Sequence, residues 1–302
     1  MPRYNVKLLY VLMILSFTFG LNAAANSKSK NTPLKGINNN IIHWAGCGIT
    51  KKAFMSELAT AFEKKTGVKV DLKGGGATKG IRQTARLEVD FGGSCRMTLP
   101  DVDPVELRAT LTPVAWDALA VIVHKSNKVK SLSTAQVKGI FKGRITNWKQ
   151  VGGKDAPIEL YVRNGKLSGV GYAIRQYLFQ NSDEDFVASY SVKSSGPLEK
   201  AVEKLPNAIG ITGISSARKR KVKVIGFDGK APSYENVKNG NYGLYRPLYL
   251  VSSSAPNKNV KAFIDFALSP EGKQIIRNNG TVPYTDALPL MRKLLIYGFG
   301  VK

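Results

Sequence analysis

Cysteine, histidine and acidic side chains are all sparse in this 302-residue chain, which has two Cys, two His and 21 Asp+Glu. Two cysteines cannot scaffold a disulfide miniprotein. Two histidines, with no spaced acids beside them, supply neither a metal-ligand motif nor the cluster that metal-assisted hydrolysis needs. No internal repeat, collagen period or low-complexity tract is present, which excludes solenoids and fibrous proteins. The longest apolar run, Leu8 to Leu21, is about 14 residues and holds Ser16 and Thr18, short of the ~20 that a spanning helix requires. What remains is ordinary for a folded chain, with 43% hydrophobic and 22% charged residues. The charge is one-sided: 45 Lys+Arg against 21 Asp+Glu, a formal net charge of +24. A nucleic acid, an acidic membrane surface or a small anion would each suit it.

The amino terminus explains the apolar run. Arg3 and Lys7 precede it and Ala23-Ala24-Ala25 follow, the tripartite pattern of a cleaved export signal over residues 1–25. No cysteine occurs before Cys47, so a lipid-anchored form is not expected. The mature chain is expected in the periplasm, starting near Asn26 with a flexible, lysine-rich tail over residues 26–36. Loss of Arg3 and Lys7 leaves a net charge of about +22.

From Ile41 onward strand and helix patterns alternate. Ile41–Ala45 reads as a buried strand and Gly46-Cys47-Gly48 as a turn. Thr50 then opens a helix with Phe54, Leu58, Ala61 and Phe62 on one face. Gly67 stops it, Val68–Leu72 is the next strand, and Gly74-Gly75-Gly76 leads to a helix over Gly80–Leu87. Val89–Gly93 closes a βαβαβ unit, and further strand and helix patterns follow to Asn278. The fold class is α/β with a mostly parallel sheet flanked by helices. In such sheets ligands bind at loops leading from strands into helices. Three glycine-rich loops occupy such places: Gly46–Thr50, Gly74–Gly80 and Arg163–Gly171. Free N–H groups and the dipole at a helix start favour an anion there.

Several motifs carry a resemblance: Gly139-Ile-Phe-Lys-Gly-Arg-Ile-Thr-Asn-Trp148, Lys65-Thr-Gly-Val-Lys-Val70, Val89-Asp-Phe-Gly92, Ala208-Ile-Gly-Ile211, Tyr245-Arg-Pro-Leu-Tyr249 and Ser269-Pro-Glu-Gly272. In this order, over residues 41 to 285, they resemble the phosphate-binding proteins of bacterial phosphate ABC transporters, a branch of the type II periplasmic solute-binding proteins. The resemblance implies a two-lobed fold joined by crossing strands near Trp116–His124 and Gly243–Val251. Lobe one would hold residues 37–116 and 247–302, and lobe two residues 117–246, with hinge closure on the ligand. It implies capture of a small inorganic anion by a monomer without cofactor or catalysis. The partner would be an ABC permease or a membrane sensor kinase.

The resemblance also places a ligand site. The first loop puts Cys47, Gly48, Thr50 and Lys51 there, the second Ala77 and Thr78, and the third Arg163, Ser168 and Gly169. Two family hydroxyls are missing, at Ala77 and Val170, and Thr78 is the stand-in for the first. After Val89-Asp-Phe-Gly92 the family has Ala-Ser-Asp where this chain has Gly93-Ser94-Cys95. Ser94 and Cys95 therefore join the expected site, with a thiol in place of the aspartate that accepts a hydrogen bond from a protonated phosphate oxygen. Cys47 and Cys95 follow strands that neighbour each other in the usual order for this sheet. Three readings of the pair stay open: a structural disulfide, a dithiol gripping a soft metalloid oxyanion of arsenite or selenite type, and a redox-switched site. Lys79, Arg82, Arg96 and Lys166 lie on the same loops and favour an anion collectively.

Other features read more plainly. His43 is expected as a satisfied sheet histidine rather than a metal ligand, and Trp44 and Trp116 as packing. The basic run Arg218-Lys219-Arg220-Lys221-Val222-Lys223 lacks interleaved aromatics, so specific nucleic-acid binding is not expected. A phosphatase would need a nucleophile–base pair that the pattern does not suggest.

Overall fold

The computed structural model describes residues 40–297. The expected export signal and tail lie outside the described residues. Strand β1 (Ile41–Gly46) turns at Cys47 into a continuous helical segment. It comprises α1 (Gly48–Thr50), a π-helical stretch (Lys51–Met55) and α2 (Ser56–Thr66), and Gly67 at φ 73° ends it. Next come β2 (Lys69–Gly74), α3 (Ala77–Ala85) and β3 (Phe91–Ser94). The long β4 (Ala109–Val123) precedes β5 (Ser131–Leu132) and α4 (Thr134–Phe141), whose start carries a Ser133–Gln136 capping box. The chain continues through β6 (Glu159–Arg163), α5 (Gly169–Ala173), β7 (Tyr190–Val192), α6 (Ser195–Lys204), β8 (Ala208–Gly213) and α7 (Ile214–Ala217). It ends with β9 (Lys223–Phe227), α8 (Tyr234–Lys238), β10 (Tyr245–Ser253), α9 (Lys258–Leu268), α10 (Pro270–Asn278), β11 (Val282–Pro283) and α11 (Leu288–Tyr297).

The strands join edge to edge in the order β2-β1-β3-β10-β4-β8-β6-β7. The expected parallel β2-β1-β3 unit is present, in register Ile41↔Lys69 and Trp44↔Phe91. Beyond it the sheet is mixed, because β10 runs antiparallel to both β3 and β4. β4 is the backbone of the molecule. Its first part, Ala109–Ala118, pairs with β10, and its second part, Leu119–Val123, pairs with β8. Leu119–His124 was the expected strand; the structure starts it ten residues earlier, at Ala109. The extension through Thr110, Thr112 and Pro113 is half-exposed and lacks the apolar run that marks the second part.

Helices bury their apolar faces on this sheet. Phe62 of α2, Phe91 of β3 and Phe263 of α9 pack ring to ring, at 5.1 Å for Phe62–Phe263 and for Phe91–Phe263. All three are at most 2% exposed. α3 lies so close to the strands that a Cβ at Gly80 would stand 2.8 Å from the Ala45 carbonyl oxygen. Only glycine permits that approach, and it sets the start of α3 beside the ends of β1 and β3.

Candidate functional site

A cleft of about 900 Å³ opens over the carboxyl ends of β1, β2 and β6. Four helix starts contribute to its lining: Gly48 of α1, Ala77 of α3, Gly169 of α5 and Ser195 of α6. Two are capped by their own side chains, α1 by Cys47 Sγ and α5 by Ser168 Oγ, which accepts from Gly171 N at 3.2 Å. The caps of α3 and α6, Gly76 and Ser194, make no side-chain hydrogen bond. No Asp or Glu is among the lining residues. The cleft therefore offers N–H donors and helix dipoles without a carboxylate on its wall.

Its cations are not equivalent. Lys52 and Arg220 share Glu199, which is fully buried and also accepts from Thr212 Oγ1 at 2.7 Å and from Ser216 Oγ. Lys166 is held by the exposed Asp183 and Asp185 at 2.8 and 2.9 Å. Arg163 makes no ion pair among the described residues. It donates to Ser195 Oγ at 3.1 Å and to the Lys193 carbonyl at 2.8 Å, while its buried Nε has no partner. Burial lowers its pKa from the usual arginine value and the two thiols act the other way, so it stays charged at any ordinary pH.

The cleft floor is built from sulfur. Cys47 and Cys95 are free thiols, 5% and 2% exposed, close enough for each to shift the other's ionisation, and both line the cleft. Cys47 Sγ also accepts from Thr50 N at 3.3 Å and lies 2.8 Å from Thr50 Oγ1. Burial pushes the Cys47 thiol up, but the hydrogen bonds from Cys95 and Thr50 and the Arg246 charge outweigh it and bring it to about 6. Cys95 moves the opposite way, raised first by its hydrogen bond to Cys47 and then by burial. The pair thus holds one proton and one negative charge at neutral pH.

Beneath the sulfurs lies a buried ion pair. Arg246 and Asp117, directly opposite each other on β10 and β4, are both fully buried and 3.5 Å apart. Arg246 Nη1 donates to the Gly169 carbonyl at 3.1 Å, and Asp117 accepts from Ser215 N at 3.2 Å. Arg246 Nε and Nη2 and Asp117 Oδ2 make no hydrogen bond. Burial opposes the Arg246 charge, but Cys95, Asp117 and Cys47 together hold its pKa above the usual value.

Residues 42–271 match the family described as PBP superfamily domain. The chain belongs to the PBP superfamily. Within it, the chain is 26% identical to the phosphate-binding protein PstS of Bacillus subtilis, over 91% of this chain and 94% of that one. It is 31% identical to protein SphX of Synechococcus elongatus, over 75% and 72%. A crystal structure described as a phosphate ABC transporter substrate-binding protein with bound phosphate, from Clostridium perfringens, superposes with a TM-score of 0.74 at 30% identity. That comparison covers 81% of this chain and 99% of the other. An ABC-type phosphate transport receptor from Vibrio cholerae gives 0.63 at 28%, over 80% and 99%. The α/β fold is that of the type II periplasmic binding proteins.

Against this PBP-superfamily frame, eight of the eleven expected site residues meet on the cleft: Cys47, Gly48, Ala77, Thr78, Cys95, Arg163, Ser168 and Gly169. Thr50, Lys51 and Ser94 do not reach the lining. Thr50 is fully buried with its hydroxyl on Cys47 Sγ, and Lys51 Nζ donates to the Leu72 carbonyl at 3.2 Å. Ser94 Oγ closes a turn with Arg96, donating to its carbonyl at 2.7 Å. The Thr78 hydroxyl is already engaged, donating to the Leu167 carbonyl and accepting from Arg96 Nη2. Arg96 is no surface charge: it forms a buried pair with Glu106 and also reaches the Leu167 carbonyl, tying α3 to the loop before α5. Of the other loop cations, Arg82 pairs with Glu106 and Asp103, Lys79 is exposed, and Lys166 alone lines the cleft.

His43 is exposed, with Nδ1 3.3 Å from Asp71, and is not part of the lining. Trp44 and Trp116 are packing residues, the second stacked 4.8 Å from Tyr284. Sequence reasoning missed Lys52, Glu199 and the Asp117–Arg246 pair. For the pair a signal existed: a carboxylate and a guanidinium, each alone in an apolar run, on the two strands expected to cross.

Proposed function

We propose that this protein captures phosphate, or a closely related small oxyanion, in the periplasm and delivers it to an ABC permease, as a monomer and without catalysing a reaction. The carrying observation is Arg163, a half-buried cation without an ion pair among the described residues, on a cleft whose described lining has helix starts and no carboxylate. Eight residues then form the ligand shell: Cys47, Gly48, Ala77, Thr78, Cys95, Arg163, Ser168 and Gly169. The chain divides into lobe one (37–116 and 247–302) and lobe two (117–246), with β4 and β10 crossing between them. On that division the bonds from Thr78 and Arg96 to Leu167, and from Lys52 to Ser216 at 2.7 Å, join the lobes and belong to the closed form. Names of the relatives favour phosphate with a permease over a metalloid with a sensor kinase.

Calorimetry of the purified, reduced protein with phosphate, arsenate and sulfate tests the reading. Arg163→Ala should weaken phosphate binding at least ~100-fold, the equivalent of roughly 3 kcal/mol for two charged hydrogen bonds. Failure of the parent protein to bind phosphate refutes the function. Full retention of binding in Arg163→Ala moves the site elsewhere.

A further inference from the structure

The two cleft thiols have a chemistry that anion capture does not use. Cys47 caps the helical segment that starts at Gly48, where the amide of Thr50 and the helix dipole favour a negative sulfur. Arg246 acts on it from below. Cys95 stands beside it on the same cleft lining and is the group that keeps its proton. An ionised sulfur in contact with a protonated one, both on a wall that solvent reaches, is an attacking and a resolving cysteine side by side.

We propose that Cys47 and Cys95 form an oxidisable dithiol, converted to a disulfide by hydroperoxides, and that this conversion changes the charge of the anion cleft. In the first step the Cys47 thiolate attacks the terminal oxygen of the hydroperoxide. An S–O bond forms, the O–O bond breaks, and the leaving alkoxide or hydroxide takes a proton from water. In the second, Cys95 sulfur attacks the Cys47 sulfenic acid. The S–S bond forms, the S–O bond breaks, and the departing hydroxide leaves as water with the Cys95 proton. Two thiols and one hydroperoxide give one disulfide, one alcohol (or water) and one water. The sulfurs together lose two electrons and the peroxide gains them.

Oxidation removes the one negative charge on the cleft wall. A doubly charged anion with no proton to donate to a thiolate, such as sulfate, gains most. This second part rests on the anion-capture reading; the thiol chemistry does not.

The test treats the reduced, full protein with hydrogen peroxide near neutral pH and follows free thiols and intact mass. The expected result is loss of both thiols together with two hydrogen atoms. In Cys95→Ser, the Cys47 sulfenic acid should be trapped by dimedone. In Cys47→Ser, Cys95 should oxidise about 100-fold more slowly, in line with its smaller thiolate fraction. Survival of both parent thiols under a dose that oxidises free cysteine overturns the proposal, as does equal reactivity of Cys95 in Cys47→Ser. Sulfate and phosphate are then titrated into both forms, with sulfate expected to bind the oxidised form at least ~10-fold more tightly. Equal oxyanion affinities in the two forms overturn the charge switch. If neither form binds any oxyanion, the capture reading falls, while the mass and thiol results still decide the dithiol.

Discussion

Replacing Arg246 by Met keeps most of the side-chain volume and removes the charge that faces Asp117 across the β4–β10 ladder. Both groups are fully buried, so bulk solvent does not take over the role of the guanidinium. An uncompensated buried carboxylate costs about 3–5 kcal/mol, and the lost bond to the Gly169 carbonyl adds roughly 1 kcal/mol or more. A deficit of about 4 kcal/mol in urea unfolding at neutral pH is the expected result. Its pH dependence has a definite sign. Burial already raises the Asp117 pKa in the parent protein, against the pull of Arg246 and Ser215. Without Arg246 it rises further. A group with a raised folded pKa contributes its stability below the unfolded value of ~3.9 and loses it as pH climbs through the folded value. The deficit of Arg246→Met therefore shrinks on acidification from neutral pH. Adding Asp117→Asn should recover more than half of it at neutral pH. Loss of the same cation should raise the Cys47 pKa, which the Arg246 charge helps to lower, and the pH midpoint of alkylation reads that rise. A deficit below ~1 kcal/mol, or one that is unchanged between neutral and mildly acidic pH, would refute the claim that this pair carries opposed buried charges.

Two further variants probe the walls of the cleft. A Cβ at Gly169 would stand 2.3 Å from Cys95 Sγ and 3.1 Å from Ala77 Cβ, so Gly169→Ala should keep native circular dichroism yet lose phosphate binding. Unchanged calorimetric affinity would show that α5 need not pack on the thiol pair. Glu199→Gln frees Lys52 and Arg220 from their shared acid, making the cleft one unit more positive. Its stability should fall by about 1–3 kcal/mol, while phosphate association in stopped flow speeds up at low salt and returns toward the parent rate at high salt.

Much of the cleft lining was legible because its signals are local. Glycine turns before helices, the Arg163–Gly169 loop and the placement of two cysteines after neighbouring strands can be read within short windows of chain. The convergence of the first two loops and the cysteines follows from the order β2-β1-β3, which the βαβαβ pattern implies, while the Arg163–Gly169 loop follows β6 in the other part of the sheet. Burial was not legible in the same way. Thr50 and Ser94 belong to the right loops, but tertiary packing turns their hydroxyls inward, onto Cys47 and the Arg96 backbone. Lys51 goes to the Leu72 carbonyl for the same reason: the next residue, Lys52, occupies the cleft side of the turn. The early start of β4 was hidden because its first residues are held by β10, more than a hundred positions away.

The charge of +24 takes a different meaning at the site than over the chain. Acids are scarce, yet several of them sit around the cleft: Glu199 on Lys52 and Arg220, Glu106 on Arg82 and Arg96, and Asp183 with Asp185 on Lys166. Each neutralises a cation that would otherwise add an undirected positive field. Among the described residues Arg163 is left without such a partner, beside helix starts whose N–H groups have fixed directions. An anion held this way is recognised by geometry at short range, where screening is weak. The surplus lysines elsewhere act at long range, where salt suppresses them. Raising ionic strength should therefore slow phosphate capture far more than it speeds release, whereas Arg163→Ala at fixed ionic strength should speed release far more than it slows capture.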